Sequence, residues 1–305
     1  MVVTSFNDMK LHQLQALVRV VEHGSIRAAA RASHVTQAAF TKSLRQLEDD
    51  TGIPLLVRQS KGVTLTEAGR RLHARAQLVT RQIELARDDI RHTLGQEEGV
   101  VRAGLTPFLM LTVLGEAFRW FRKRYPRVEL RVMEGLVTRV LPALRDGSLD
   151  FAIVADTGDV PKQEFNTRKL KVLPQVLVVR AGHPVLKTPT PKKLCELEWV
   201  LPGPLVQGLD EGIATMFKKA GVKPPAQITR CDALAAMALV RQSDSVCVMP
   251  TPLLGQPESY GLVAVPIQAL TPPPVSLVLL SRAEVPPIPS TEYFARCLTD
   301  ALGSQ

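Results

Sequence analysis

SIRAAARASHVTQAAFTKSLRQLE, residues 25–48, reads as two short helices joined by a tight turn. Gly24 stops the preceding helix and Ser25 can cap the next one, while Ala28, Ala29, Ala30 and Ala32 keep that helix slim enough for close packing. Ser33-His34-Val35 form the turn, and Thr36 can cap the second helix. There Phe40, Leu44 and Leu47 recur at i, i+4 and i+7, which defines one narrow apolar face. Ala38, Thr41, Lys42 and Arg45 project from the opposite face, with Thr36 and Gln37 at the leading end. An apolar back, small or hydrogen-bonding residues in front and a few cations for phosphates are what a DNA-reading helix-turn-helix requires. An ordinary helical pair with a solvated face has the same pattern, so the flanking sequence decides.

Downstream, Leu55-Leu56-Val57-Arg58 and Val63-Thr64-Leu65 flank Gln59-Ser60-Lys61-Gly62, the signature of a small β-hairpin. Such a wing places Arg58 and Lys61 to meet phosphate or the minor groove. Ser25, Ala28-Ala29, Thr36-Gln37, Leu44, Leu47-Glu48, Gly52, Leu55-Leu56-Val57-Arg58 and Leu65-Thr66-Glu67-Ala68-Gly69 together resemble the LysR-type transcriptional regulators, over more than forty positions in register. The chain departs from the usual pattern at Ala38, where Pro is common, at Thr41 for Ser, and at Leu56 for Phe. Thr keeps the hydroxyl, and Ala keeps the helix without the fixed φ of a first-turn Pro. The expected contacts to double-stranded DNA are Ser25, Thr36, Gln37, Ala38, Thr41, Lys42, Arg45, Arg58 and Lys61.

A chain of 305 residues has room for two or three domains with their own cores. The net charge is +9, and the excess is denser at the N-terminal end: 14 Lys and Arg against 9 Asp and Glu up to Gly95, then 24 against 20. That asymmetry supports nucleic-acid binding there. Five of the six histidines precede Gly95 without metal-ligand spacing, and the four cysteines include no Cys-x-x-Cys, so neither a metal nor a cofactor is expected. Cys231 and Cys247 sit beside apolar strand patterns and read as small buried hydrophobes rather than a redox pair. No apolar run approaches a membrane span and no signal-type segment opens the chain, which points to a cytoplasmic protein; Met1–Asp8 reads as a short extension.

Leu11, Leu14, Leu17, Val18 and Val21 form a helical stripe ended by Gly24. After the wing, Thr66 can cap a helix running to about Thr93, in which Leu72, Ala76, Val79, Ile83, Ala86 and Ile90 recur as a heptad seam. A 3.5-residue period predicts a partner helix, hence a homodimer presenting two reading heads to an interrupted inverted repeat. The expected organisation is a winged helix-turn-helix at 1–65, a linker helix at 66–95 and an α/β effector domain at 96–305. Gly95–Gly99 breaks the long helix, and from Val100 strands and helices alternate, with a single helix over Met110–Arg124 after the first strand. The apolar run Leu170–Arg180 reads as the start of a second lobe. Crossings near 164–169 and 266–274 then give one lobe of about 96–164 plus 270–305 and another of about 165–269. Two α/β lobes joined this way resemble the type 2 periplasmic-binding-protein fold, the effector domain of LysR-type proteins, with Leu144–Ile153 as the best-matching piece. The resemblance implies a homotetramer built from two dimers, with RNA polymerase as a further class of partner.

Ligands in such domains lie between the lobes at the carboxyl ends of strands. Thr106-Pro107 ends a strand and opens a helix, Val137-Thr138 starts another, Gly203-Pro204 leads into a third, and Asp232 follows a further strand. Helix starts favour an anion. Apolar Leu136, Val137 and Leu205 nearby suggest a carboxylate or sulfonate on a hydrophobic body, aromatic ones included. Thr106 is also the position that the resemblance assigns to effector contact. Two rival readings stand beside this one. An α/β enzyme is disfavoured by the lack of Gly-x-Ser-x-Gly, Gly-x-Gly-x-x-Gly, Walker or His-Glu-x-x-His motifs, with His183 alone in the α/β part. A solute-binding protein would explain the lobes but neither the reading helix nor the wing.

Overall fold

The computed structural model describes residues 9–59, 62–94, 98–158, 160–203, 207–283 and 285–304. The Met1–Asp8 extension, Lys61 at the wing tip, most of the Gly95–Gly99 break, Pro204 and Leu205 lie outside the described residues, as does the side chain of Arg58. The chain divides near Glu97 into two compact units.

The first unit begins with α1 (Leu11–His23), α2 (Ile26–Ala32) and α3 (Gln37–Thr51). Gly24 ends α1 in the left-handed region, and Ser25 and Thr36 cap α2 and α3 by accepting the N–H groups of Ala28 and Ala39, each at 3.2 Å. His34 turns the chain with φ 54. Leu17, Val20, Ala29, Ala30, Phe40, Leu44, Leu47 and Leu55 form one core. The stripe on α1 is displaced from the expected one. Ala16 and Val20 are buried, Leu11, Leu14 and Val21 are only half-buried, and Gln13 goes inside. Gln13 can be buried because its amide bridges Asp50 (2.9 Å) and the Lys10 N–H (2.6 Å). The wing pairs β1 (Leu56–Gln59) with β2 (Gly62–Leu65). It is anchored by Glu48, whose Oε1 accepts the N–H groups of Leu55 (2.8 Å) and Leu56 (3.0 Å). Thr66 caps α4 (Glu67–Thr93) through the Gly69 N–H at 2.9 Å.

The second unit holds two five-stranded sheets. In the first lobe β3 (Val100–Leu105), β4 (Glu129–Glu134) and β5 (Phe151–Ala155) are parallel, and the order is β4-β3-β5-β12-β6 with β6 (Phe165–Leu173) and β12 (Val275–Arg282) antiparallel. In the second lobe β7 (Gln175–Arg180), β8 (Trp199–Pro202), β9 (Ile228–Cys231), β10 (Val246–Pro250) and β11 (Leu262–Ala264) take the order β9-β8-β10-β7-β11. Parallel and antiparallel pairings fall at matching places, so the lobes share one topology. Helices cover the sheets: α5 (Pro107–Thr112), α6 (Leu114–Arg124), α7 (Val137–Arg145), α8 (Pro191–Cys195), α9 (Gln207–Lys219), α10 (Ala233–Gln242) and α11 (Pro289–Gly303). Central strands are buried on both faces. On β5, Phe151 and Ile153 join one core while Ala152 and Val154 join another.

Two expectations are corrected. Leu170–Arg180 is not one strand opening the second lobe. Pro174 splits it into β6, which pairs with β12 in the first lobe, and β7, which starts the second. The first crossing is therefore at Pro174 rather than at 164–169. β6 is an edge strand: Phe165 and Leu173 at its two ends are buried, while Arg168 and Lys169 are exposed and Val172 is exposed at 60%. The segment after Thr106, expected as one helix over 110–124, breaks at Val113 into α5 and α6. The Thr112 hydroxyl bonds back to the Phe108 carbonyl at 2.7 Å, and Gly115 weakens the next turn.

Candidate functional site

The face of α3 expected to read DNA is open. Thr36, Gln37, Ala38, Lys42 and Arg45 are exposed, Thr41 and Ser25 half-exposed, and the acidic residues Glu48, Asp49 and Asp50 are confined to the far end of the helix. Lys42 and Arg45 thus lie between the positive helix start and the acidic far end. Arg27 and Arg31 on α2, outside the contact set expected from the sequence, are also exposed. The wing is held to the head by the Val63 N–H on the Gly24 carbonyl at 3.2 Å.

On α4 the heptad positions differ in their surroundings. Leu72 packs against the core of the first unit and Ala76 is fully buried, so the opening of the seam is used within the chain itself. Val79 (43%), Ala86 and Ile90 (61%) are exposed, and Ile83 is half-buried.

Within the second unit a cavity of about 450 Å³ lies between the two sheets, at the carboxyl ends of β3, β4, β5, β8, β9 and β10. Thr106, Pro107, Val137, Thr138 and Gly203 line it. Thr106 is buried, and its Oγ1 accepts the Leu109 N–H at 3.4 Å, so the cap already uses one of the donors expected to face an anion. Gly135 admits no side chain: a Cβ there would lie 2.9 Å from the Leu105 nitrogen. The turn from β4 into α7 can therefore lie against the end of β3. Gly203 holds φ +90, and its N–H donates to the Cys231 carbonyl at 2.8 Å.

Asp232, expected in the wall, is not part of it. It sits past the end of β9 at the α10 N-cap with its carboxylate exposed and no capping bond. The wall instead takes Arg230, together with Glu134, Thr157 and Gln175, none of which was singled out from sequence. The signal was the period-2 alternation of β9, which the expectation followed to the strand's end without choosing a face. The rest of the wall is apolar: Phe108, Leu111, Leu136, Leu141, Leu173, Ile213, Met237, Met249 and Leu253 among others.

Cys231 and Cys247 are not placed to form a disulfide with each other. Cys231 and Cys247 lie on β9 and β10 with β8 between them, a separation of about 9–10 Å across two strand spacings. Disulfide geometry needs Cα atoms within about 7 Å. Burial pushes the Cys247 thiol up to about 12, with Cys231 nearby adding to the effect. His183 is spent structurally, accepting the Val185 N–H on Nδ1 at 3.0 Å.

Residues 11–70 match the family model for bacterial regulatory helix-turn-helix proteins of the lysR family, and residues 94–303 match that for the LysR substrate binding domain. The chain belongs to the LysR family. This LysR-type protein is 27% identical over 263 residues to the HTH-type transcriptional regulator TdcA of Escherichia coli K12, covering 86% of this chain and 84% of TdcA. It is 25% identical over 300 residues to the HTH-type transcriptional regulator PcaQ of Agrobacterium fabrum, covering 97% and 96%. Among solved structures, CbnR, a LysR family transcriptional regulator, superposes with TM-score 0.69 at 19% identity over 96% of this chain and 99% of CbnR. ArgP from Mycobacterium tuberculosis does so with TM-score 0.70 at 20% identity over 95% and 96%. These structures share the fold. The LysR-type chain is thus a DNA-binding, ligand-responsive transcriptional regulator with a helix-turn-helix head and an effector-binding domain, and not an enzyme. Among its described residues no helix is long and apolar enough to cross a membrane.

Proposed function

We propose that this LysR-type regulator acts in the cytoplasm as a homodimer, or as a homotetramer of two dimers, on an interrupted inverted repeat, and senses a small organic anion carried on an apolar body. The observation that carries the effector reading is the cavity wall: apolar over most of its extent, with Arg230 its one cation among the described lining residues. A cation in an apolar, water-poor wall binds carboxylate more strongly than the same cation in water. Thr106, Pro107, Val137, Thr138 and Gly203 complete the contact set. Val79, Ala86 and Ile90 support the dimer reading, since apolar residues left exposed at heptad spacing are stabilised by a partner helix. Gln37 reads a base edge, with Lys42 and Arg45 on phosphates. Effector binding shifts closure of the lobes, and with it the geometry imposed on DNA and the access of RNA polymerase.

Two measurements test this. Footprinting on DNA upstream of the protein's own gene should protect two half-sites about one helical turn, or a multiple, apart; a single protected half-site refutes the dimer. Calorimetric titration with aliphatic and aromatic carboxylic acids should show binding at the cavity that Arg230→Gln abolishes; silence across the panel and across amino acids refutes the cavity as effector site.

A further inference from the structure

The cavity wall holds one acid as well as one base among its described residues. Glu134 is the last residue of β4 and Arg230 the third residue of β9. These strands hold equivalent places in the two sheets, β4 beside β3 and β9 beside β8, so the acid enters from the first lobe and the base from the second. Both side chains belong to half-buried residues. Among the described residues the Glu134 carboxylate forms no hydrogen bond or ion pair.

A plain monoanion fits this wall poorly. Its carboxylate would gain Arg230 but would bring a second negative charge into an apolar space already occupied by Glu134, where screening is weak. A molecule with both charges meets both residues and bridges the lobes, and the Leu, Met, Ile and Phe side chains of the wall are left for an apolar body.

We propose that the effector of this regulator is a zwitterion, an amino acid with an apolar side chain, whose carboxylate is held by Arg230 of the second lobe and whose ammonium is held by Glu134 of the first. This rests on the cavity being the effector site. It narrows the organic anion to one whose carboxylate is accompanied by an ammonium, and gives the lobes a reason to close: neither charge of the ligand is satisfied until both lobes touch it.

The test is calorimetry on the full-length protein with matched pairs, L-leucine against isocaproate and L-phenylalanine against hydrocinnamate, each pair differing by the amino group alone. At least one amino acid should bind, with its desamino partner weaker on the order of tenfold to a hundredfold. Glu134→Gln, nearly isosteric and placed at a strand end, should erase that preference by weakening the amino acid and strengthening the desamino acid. Arg230→Gln should abolish both, with thermal melting confirming that each variant is folded. Desamino acids binding as well as or better than the amino acids would overturn the zwitterion while leaving the cavity as effector site. An amino-acid preference that survives Glu134→Gln would overturn the assignment of Glu134. Silence from all four compounds would overturn the inference together with the reading beneath it.

Discussion

Glu48 carries more of the reading head than its place near the end of α3 indicates. One carboxylate oxygen takes the N–H groups of both Leu55 and Leu56, tying the wing to the helix that reads DNA. Glu48→Ala strands two backbone donors, each worth about 1–3 kcal/mol if left buried without a partner. Urea denaturation should show a loss of about 3 kcal/mol from the first unit; a change below about 1 kcal/mol would mean that water replaces the carboxylate. Gln37 and Lys42 are both exposed, five residues apart on α3, and their substitutions are expected to separate two roles. Gln37→Ala should relax preference at particular bases, whereas Lys42→Ala should weaken binding to all sequences and reduce the salt slope by about one. Equal losses on specific and random DNA for Gln37→Ala would remove it from base readout. Cys247 makes a third case. Burial raises its thiol to about 12, against about 8.5 for an exposed cysteine, so it stays protonated at pH 8. Its stabilising contribution is complete below about 8.5 and is lost as pH climbs towards 12, because the unfolded thiol ionises first. Mass spectrometry after iodoacetamide treatment at pH 8 should find Cys247 unmodified in the native protein and alkylated in urea; native alkylation would show an open path to the sulfur.

At the scale of elements, what could be read in advance tracks how local the determining physics is. The caps at Ser25, Thr36 and Thr66 are decided by one side chain and the N–H groups two or three residues on, and each helix starts where its cap predicts. The split at Pro174 was not legible, because Leu170 and Val172 look like the start of a buried strand and only pairing with β12 reveals β6 as an edge. The side of β9 that faces the cavity was equally invisible: Arg230 and Asp232 follow the same alternation, and the end of the strand separates them. α4 mixes the two cases. Its length and cap are local, yet Leu72 and Ala76 are used within the chain and Val79, Ala86 and Ile90 remain exposed. Val79→Glu and Ile90→Glu should therefore dissociate the dimer with little change in the melting of the head, whereas Leu72→Ala should cost about 2–4 kcal/mol of stability. Sedimentation equilibrium separates the outcomes, and a Val79→Glu, Ile90→Glu double variant that keeps the wild-type mass would place the interface elsewhere.

For the whole molecule, the informative feature is a topology used twice without a repeat in the sequence. The two sheets share strand order and direction, while their walls differ in charge, Glu134 from one and Arg230 from the other. Shared topology yields lobes that meet at equivalent strand ends, and on the zwitterion reading proposed above the unlike charges select the ligand that the cleft encloses. A regulator built this way must obey linkage. If a bound amino acid changes affinity for the operator by some factor, operator must change affinity for that amino acid by the same factor, typically about 5–150-fold for an allosteric protein. The measurement is a square of four dissociation constants: operator with and without saturating ligand by fluorescence anisotropy, and ligand with and without saturating operator by calorimetry, all at one salt concentration because DNA affinity depends steeply on it. The two ratios should agree within error and differ from one. If ligand binds tightly yet both ratios equal one, the effector does not act on the binding equilibrium, and its influence must fall on DNA bending or on a later step with RNA polymerase.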